Sequence, residues 1–280
     1  MLNTIAICGA GTMGAGIAQV AAAGGFKTIL FDTREEALQK AITQISRNLQ
    51  TAVEKGKLEA AQPALILSRI QTVYDAQQCV ADVIIEAIVE NIPAKVALFS
   101  QLATVNSPET IFATNTSSLS VSDIAKDVLH PERVAGMHFF NPAHLMQLVE
   151  IVSGKATDPA VADVLYALTK QLGKTPVRVK DAPGFIVNRV ARHYYLEAMQ
   201  VASEGTASLQ SIDKLLEAAG FRMGPFALMD LIGNDINFAV TTSLYEAFNH
   251  APRFKPGQLQ ADKVARGELG RKTGKGFYNY

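Results

Sequence analysis

Apolar positions along the first 180 or so residues follow two alternating rhythms. Short, β-branched runs occupy residues 5–8, 28–31, 82–86, 110–114, 133–137, 148–152 and 175–179. Between several of them, as at 94–103 and 161–172, apolar residues recur every three or four positions. Strands separated by helices predict an α/β unit, a doubly wound and mostly parallel sheet covered on both faces. After Asp181-Ala182-Pro183-Gly184 the strand rhythm stops. Residues 185–250 read as helical, with Leu196, Met199 and Val201, then Ile212, Leu215 and Leu216, in helical spacing; Gly220, Gly224-Pro225 and Gly233 punctuate them. The expected organisation is therefore an α/β domain over 1–182 and an all-helical C-terminal domain over 183–280. The helical part is small for an independent core, so it is expected to pack on the first domain, on a second copy, or on both.

Composition narrows the class. Hydrophobic residues make up 48% of the chain and charged ones 19%, with 20 Gly and 11 Pro, which excludes a collagen, a disordered tail or a disulfide scaffold. Twenty-six basic residues balance 26 acidic ones, so no net field favours nucleic acid or an anionic membrane. No apolar run approaches the roughly 18 residues of a membrane-spanning helix. The chain enters a strand-like run directly after Met1-Leu2-Asn3, without a signal peptide pattern, although a processed chain would look the same. Cys8 and Cys79 sit in apolar segments and read as reduced core thiols. The expectation is a cytoplasmic protein with no nucleic-acid or membrane partner and no metal site.

Gly9-Ala10-Gly11-Thr12-Met13-Gly14 follows the first strand directly and opens a helical run. A lone GxGxxG is weak, but this one has Asp32 at the end of the next strand, 18 residues past Gly14. That is the context in which the motif binds a dinucleotide. Gly9 permits the tight turn and Gly11 the close approach of a pyrophosphate. Gly14 lets the helix pack against the strand, with its N-terminal N–H groups toward the phosphates. Asp32 suits the adenosine ribose hydroxyls and repels a 2′-phosphate, which predicts NAD over NADP; Arg34 nearby softens that exclusion. In such a sheet the ligand crevice lies at the carboxyl ends of the strands. Glu90, the Asn115-Thr116-Ser117-Ser118 turn and His138 are all expected there, each just after a strand run.

His138 is followed by Phe139-Phe140-Asn141-Pro142, and Glu150 lies in the next strand run. A carboxylate bonded to one imidazole nitrogen fixes the tautomer and raises the basicity of the other. Such a pair suits taking the proton of a secondary alcohol whose hydride passes to a nicotinamide. Spacing alone does not separate this from a packed core histidine, nor Ser117 from a turn former.

The set as a whole resembles a known family. GAGTMGAGIA, IIEAIVEN, TNTSSLSV, GMHFFNP with LVEIV, PGFIVNR, GPFALMDLIG and GRKTGKGFY stand in the order found in the 3-hydroxyacyl-CoA dehydrogenases, across residues 4–280. The resemblance implies a Rossmann-like NAD-binding N-terminal domain, a helical C-terminal domain that forms a homodimer, and an acyl-CoA substrate. It implies His138 as the general base, Glu150 as its partner, and Ser117 and Asn188 as groups holding the reacting oxygen and thioester. On the cofactor side it implies Gly9, Ala10, Gly11, Thr12, Met13, Gly14, Asp32, Glu90, Lys95, Ser117, Asn141 and Lys272. Toward the substrate's CoA it implies Asn48, Lys55, Lys95 and Ser117, with Asn48 standing where the family has a serine.

One departure concerns the segment after Asn141-Pro142, where the family usually has two valines flanking a proline. This chain has Ala143-His144-Leu145-Met146. A second imidazole there is expected at the pocket or its rim. The run Phe221-Arg222-Met223-Gly224-Pro225-Phe226 is similar to members acting on 3-hydroxyadipyl-CoA in phenylacetate breakdown; 3-hydroxybutyryl-CoA, as in fatty-acid β-oxidation, is the other substrate implied. Two rival readings share the layout: a β-hydroxyacid dehydrogenase acting on a free acid, and a non-catalytic NAD-binding protein.

Overall fold

The first strand, β1 (Thr4–Cys8), is buried on both faces: Ile5 and Ile7 enter one apolar cluster, Ala6 and Cys8 the other. That double burial is what a parallel sheet with helices on both sides requires. The computed structural model describes residues 2–280 and resolves them into one unit up to Ala182 and a second, Pro183–Tyr280.

In the first unit, α1 (Thr12–Ala23), β2 (Lys27–Phe31), α2 (Glu35–Glu54), α3 (Gln62–Leu67), β3 (Ile70–Val73), β4 (Val83–Glu86), α4 (Ile92–Ala103), β5 (Ile111–Thr114) and α5 (Val121–Ala125) follow β1. Then come β6 (Val134–Phe139), β7 (Leu148–Ser153), α6 (Pro159–Gln171) and β8 (Thr175–Lys180). The eight strands lie in the order β3-β2-β1-β4-β5-β6-β7-β8. All neighbours are parallel except β6 and β7. The order reverses at β1, with β2 on one side and β4 on the other, which makes the crevice above the β1 and β4 ends the expected ligand position. The amphipathic α2 buries Leu38, Ala41, Ile45 and Leu49, one stripe at three- and four-residue spacing. Side chains fix several helix starts: Asn91 accepts from the Ala94 N–H at α4, Ser120 from that of Asp123 at α5, and Asp158 from that of Ala160 at α6.

Two details differ from the sequence expectation. The strand β3 was not foreseen, because only Val73 of Ile70–Val73 is fully buried and Gln71 and Thr72 are exposed, so the edge strand lacks an apolar rhythm. The strand β6 also runs to Phe139, past the expected 133–137. His138 therefore sits within a strand rather than after one, because antiparallel pairing with β7 continues through Phe139.

The second unit contains α7 (Val187–Ser203), α8 (Leu209–Ala218), α9 (Pro225–Ile232), α10 (Asn234–Ala247) and α11 (Gln258–Ala265), with no strand longer than isolated bridges among its described residues. Tyr195, Ala198, Met199, Ile212, Phe226 and Met229 form its core. Buried polar groups supplement it. Asp213 accepts from the Phe226 and Ala227 N–H groups at 2.9 and 3.0 Å, holding the start of α9, and from the Tyr278 hydroxyl at 2.9 Å. Asp230 accepts from the Phe277 and Tyr278 N–H groups and Asn234 Nδ2, all at 2.9 Å, and from the Tyr280 hydroxyl at 3.1 Å. The C-terminal tail is thus tied down by two carboxylates. Arg192, also buried, donates to the Asn237 carbonyl and side-chain oxygens and to Thr241 Oγ1. Burial lowers its pKa to about 10.

Candidate active site

The glycine-rich turn is built by its backbone. Gly9 has φ of 104°, and a Cβ on Gly14 would lie 1.7 Å from the Gly9 carbonyl oxygen, so α1 packs on the turn only with glycine there. A Cβ on Gly11 would meet nothing within 4 Å. Gly11 is also the N-cap of α1 and brings no side-chain acceptor to the first-turn N–H groups of the helix. An open approach to an uncapped helix start is what a pyrophosphate needs. Asp32, just beyond β2, accepts from the Ala10 N–H at 2.9 Å and from the Arg34 N–H at 3.0 Å, with Arg34 Nε 3.6 Å away. One carboxylate thus braces the turn at Ala10. The donors and the acidic residue together fit a dinucleotide whose ribose hydroxyls are free.

A cleft of about 710 Å³ runs from this turn across α2 to the loop before β7. Gly11, Lys40, Gln44, Asn48, Asn141 and His144 are among its walls. Asn48 is held by Gln19 and Gln44 at 3.1 and 2.9 Å. Lys55 is exposed at the C-cap of α2 and is not part of that wall. His144, half-buried, has its pKa pushed below the ordinary imidazole value by burial and then by the Lys174 charge. Lys174 is itself 9% exposed and donates to the Met146 carbonyl at 2.8 Å.

Between β6 and β7, His138 stands directly opposite Glu150 in register. Their side chains share one face of the sheet, and Nδ1 lies 2.8 Å from Glu150 Oε2. Both are buried, at 5% and 1% exposure, so the ring is oriented from within the sheet. Phe140 packs on the imidazole with centroids 4.4 Å apart. Asn115, after β5, accepts from the Phe139 N–H at 2.8 Å and ties the neighbouring strand end to this pair.

A third cluster gathers at the ends of β4 and β5. Glu90 Oε1 accepts from the Thr116 hydroxyl at 2.6 Å and from the Ser117 N–H at 3.0 Å. Lys95 Nζ lies 2.6 Å from Glu86 Oε1 and 3.2 Å from Glu90 Oε2. Burial works to raise the Glu90 pKa, but the Lys95 charge and the hydrogen bonds hold it below the usual carboxylate range. For Glu86 burial wins and the pKa is raised in spite of Lys95. Lys95 is 1% exposed, unlike the open lysine that a CoA-facing role would suggest. Asn188 and Lys272 belong to the second unit, Asn188 in the first turn of α7 and Lys272 paired with Asp235 at 2.6 Å. Sequence reading placed Asn115 and Thr116 in the crevice only as part of the 115–118 turn, without a partner for either, and passed over Glu86. The one available signal for Glu86 was an acid closing an otherwise apolar strand, Val83–Glu86.

Comparison with known proteins agrees with this layout. The family model described as "3-hydroxyacyl-CoA dehydrogenase, NAD binding domain" matches residues 4–182, and that of the family's C-terminal domain matches 184–280. A 3-hydroxyadipyl-CoA dehydrogenase of Escherichia coli is 49% identical over all of this chain, which spans 59% of that relative's length. The mitochondrial hydroxyacyl-coenzyme A dehydrogenase of Sus scrofa is 40% identical over all of this chain and 92% of its own. The crystal structure of (S)-3-hydroxybutyryl-CoA dehydrogenase from Ralstonia eutropha superposes with a TM-score of 0.95 at 39% identity, covering 100% of this chain and 99% of that one. By sequence, by family model and by fold, this chain belongs to the 3-hydroxyacyl-CoA dehydrogenase family.

Proposed function

We propose that the chain interconverts 3-hydroxyacyl-CoA and 3-oxoacyl-CoA with NAD as its cofactor. The observation that carries this reading is the buried His138–Glu150 pair, opposed in one ladder of a sheet whose first turn fits a dinucleotide. NAD, when bound, supplies the hydride acceptor. The chain's own part is proton handling and orientation. With Nδ1 committed to Glu150, His138 Nε2 takes the proton of the 3-hydroxyl in oxidation and returns it to the 3-oxo oxygen in reduction. The carboxylate holds the ring in that tautomer and stabilises the imidazolium that forms. Ser117 and Asn188 are read as the groups that orient the reacting oxygen and the thioester, where donors are needed as charge develops.

For the cofactor, the reading uses the 9–14 turn, Asp32, Glu90, Asn141 and, from the second unit, Lys272. For the CoA moiety it uses the cleft wall at Asn48 and the exposed Lys55. The relative at 49% identity suggests 3-hydroxyadipyl-CoA, with Arg222 as a partner for its far carboxylate; 3-hydroxybutyryl-CoA is the shorter choice. A homodimer through the second unit is supported by exposed apolar side chains there, among them Val190, Leu215, Phe221 and Ile236. Two buried free thiols, Cys8 and Cys79, support a cytoplasmic location, and among the described residues no helix is long and apolar enough to cross a membrane.

The test is NADH oxidation measured in parallel with acetoacetyl-CoA and with free acetoacetate. Turnover of the CoA ester alone is the expected result, followed by a chain-length and dicarboxylyl-CoA series. Turnover of the free acid would replace this reading with a β-hydroxyacid dehydrogenase. Bound NADH without turnover of any ester in the series would leave a non-catalytic protein. Light scattering of the same sample reads the oligomeric state.

A further inference from the structure

Three charged side chains are buried in the second unit, and two of them are fully matched. Asp213 and Asp230 each gather backbone N–H and hydroxyl donors. The third, Arg192 of α7, is 3% exposed, and every group that holds it is neutral. Its Nη1 donates to the Asn237 carbonyl at 2.9 Å, to Asn237 Oδ1 at 3.0 Å and to Thr241 Oγ1 at 2.9 Å. The guanidinium carbon lies 4.9 Å from the centroid of the Tyr195 ring. Among the described residues no carboxylate pairs with it, and the edge formed by Nε and Nη2 takes no acceptor. Unmatched polar atoms surround it as well. Arg192 Nε, Asn237 Nδ2 and Gln260 Oε1 are buried without a hydrogen-bond partner, while Gln260 Nε2 joins the cluster by donating to Asn237 Oδ1 at 2.6 Å. A buried cation is costly without a counter-charge, and a free guanidinium edge is the shape that takes a carboxylate through two donors at once.

The place of this cation says which carboxylate it suits. Arg192 follows Asn188 by four residues, so the two lie on one face of α7 about 6 Å apart along its axis. Its acceptors belong to α10, whose first turn holds the Asp235–Lys272 pair. Its neighbours on both helices are thus residues read above as reaching the thioester and the cofactor. We propose that Arg192 is a specificity residue, whose Nε–Nη2 edge receives the far carboxylate of a dicarboxylyl-CoA substrate. This rests on the acyl-CoA reading of Asn188 given above. In a six-carbon diacid three bonds separate the reacting C3 from the far carboxyl carbon, and three bonds of extended chain reach about 3.5 Å. With its oxygens and the reach of the arginine, that chain covers the single helical turn from Asn188 to Arg192. A four-carbon monoacyl chain brings neither the length nor the charge. Arg222 is exposed, and an ion pair in water is worth little, whereas a desolvated pair discriminates strongly.

The test is kcat/KM for 3-oxoadipyl-CoA against 3-oxohexanoyl-CoA, which has the same length and no far charge. The wild-type chain is expected to prefer the first on the order of 100-fold. In Arg192→Met the ratio is expected to fall to about 1, and in Arg192→Lys to about tenfold, because an ammonium cannot form the two-pronged pair. Calorimetry with adipyl-CoA and hexanoyl-CoA, which lack the 3-oxygen, reads the same preference as affinities without turnover. A ratio unchanged in Arg192→Met overturns the proposal. If the ratio is lost in Arg222→Met instead, the role passes to that residue; if Arg192→Met keeps the ratio but loses dimers in light scattering, the acceptor belongs to a second copy. Turnover of acetoacetyl-CoA by a wild-type chain with no preference for the dicarboxylyl ester overturns the subsite and leaves the acyl-CoA reading standing. Turnover of no ester fells that reading, and calorimetry then decides the subsite, with absent binding of adipyl-CoA counting against it. If Arg192→Met cannot be recovered folded, Arg192→Lys carries the test, and a wild-type ratio in that variant overturns the proposal.

Discussion

The two units bury charge in opposite ways. In the sheet unit, two buried ionic pairs lie on or beside strands: Glu86, which closes β4, with Lys95 of α4, and Glu150, near the start of β7, with His138, near the end of β6. In the helical unit they stand inside the packing. Asp213 takes up the start of α9, Asp230 ties down the tail, and Arg192 bonds neutral oxygens of α10. On the function proposed above, the same observation, a charged side chain out of water, reads as chemistry in one unit and, Arg192 aside, as architecture in the other. What separates them is the partner. The small core of the helical unit is short of apolar area, and its carboxylates satisfy backbone N–H groups that helix starts and the tail leave over. The sheet unit has apolar clusters on both faces, and its two buried ion pairs join side chain to side chain, so they ask for another explanation.

The largest expected effect tests the chemical half of that contrast. His138→Gln should keep NADH affinity while kcat falls about a thousandfold, since a general base is commonly worth two to four powers of ten. Unchanged kcat would return His138 to the status of a packed core residue. Next is Asp230→Ala, which strands four donors in the helical unit. It should cost roughly 3 kcal/mol by denaturant unfolding, with kcat per folded molecule little changed. A catalytic loss without a stability loss would erase the distinction between the units. Glu150→Gln keeps the shape of the pair but removes the charge that stabilises the imidazolium, and kcat should fall about tenfold or more with thermal stability nearly intact.

The smallest effect concerns His144, whose folded pKa lies below its ordinary value because of burial and Lys174. An imidazole that resists protonation in the fold binds fewer protons there than in the unfolded chain between the two pKa values. Stability therefore rises with pH across that window, up to about 6.5, and is lowest on its acid side. His144→Gln should flatten that part of the stability profile by a fraction of a kcal/mol, because the ring is only half-buried. An unaltered profile would remove His144 from the list of groups that sense the cleft.

Much of the sheet unit was legible in the sequence. The 9–14 turn, Asp32 and the alternation of β-branched runs with helical stripes each rest on local rules that the chain obeys. The edge strand β3 was not legible, because Gln71 and Thr72 face outward and leave no rhythm. Nor was the burial of Lys95. Its helix shows apolar spacing, but nothing local says that two carboxylates from a strand end and a loop converge on one of its polar positions. Asp213 and Asp230 were hidden for a related reason. Each looks like part of a helix's wet face until distant Phe226, Phe277 and Tyr278 supply the N–H groups it accepts from. Long-range partners decide such residues, and a periodicity contains no long-range information.

The antiparallel step from β6 to β7 has a consequence for how this enzyme family diversifies. Because His138 and Glu150 are matched across a ladder, their 2.8 Å separation is fixed by main-chain pairing at either side of them and not by the connection that joins the strands. Residues 140–147, which bring Asn141 and His144 to the cleft wall, can change in sequence while the His138–Glu150 pair stays in register. The register of the pair and the lining of the cleft are thereby set by adjacent but separate stretches of backbone, and the second can be redrafted without erasing the first.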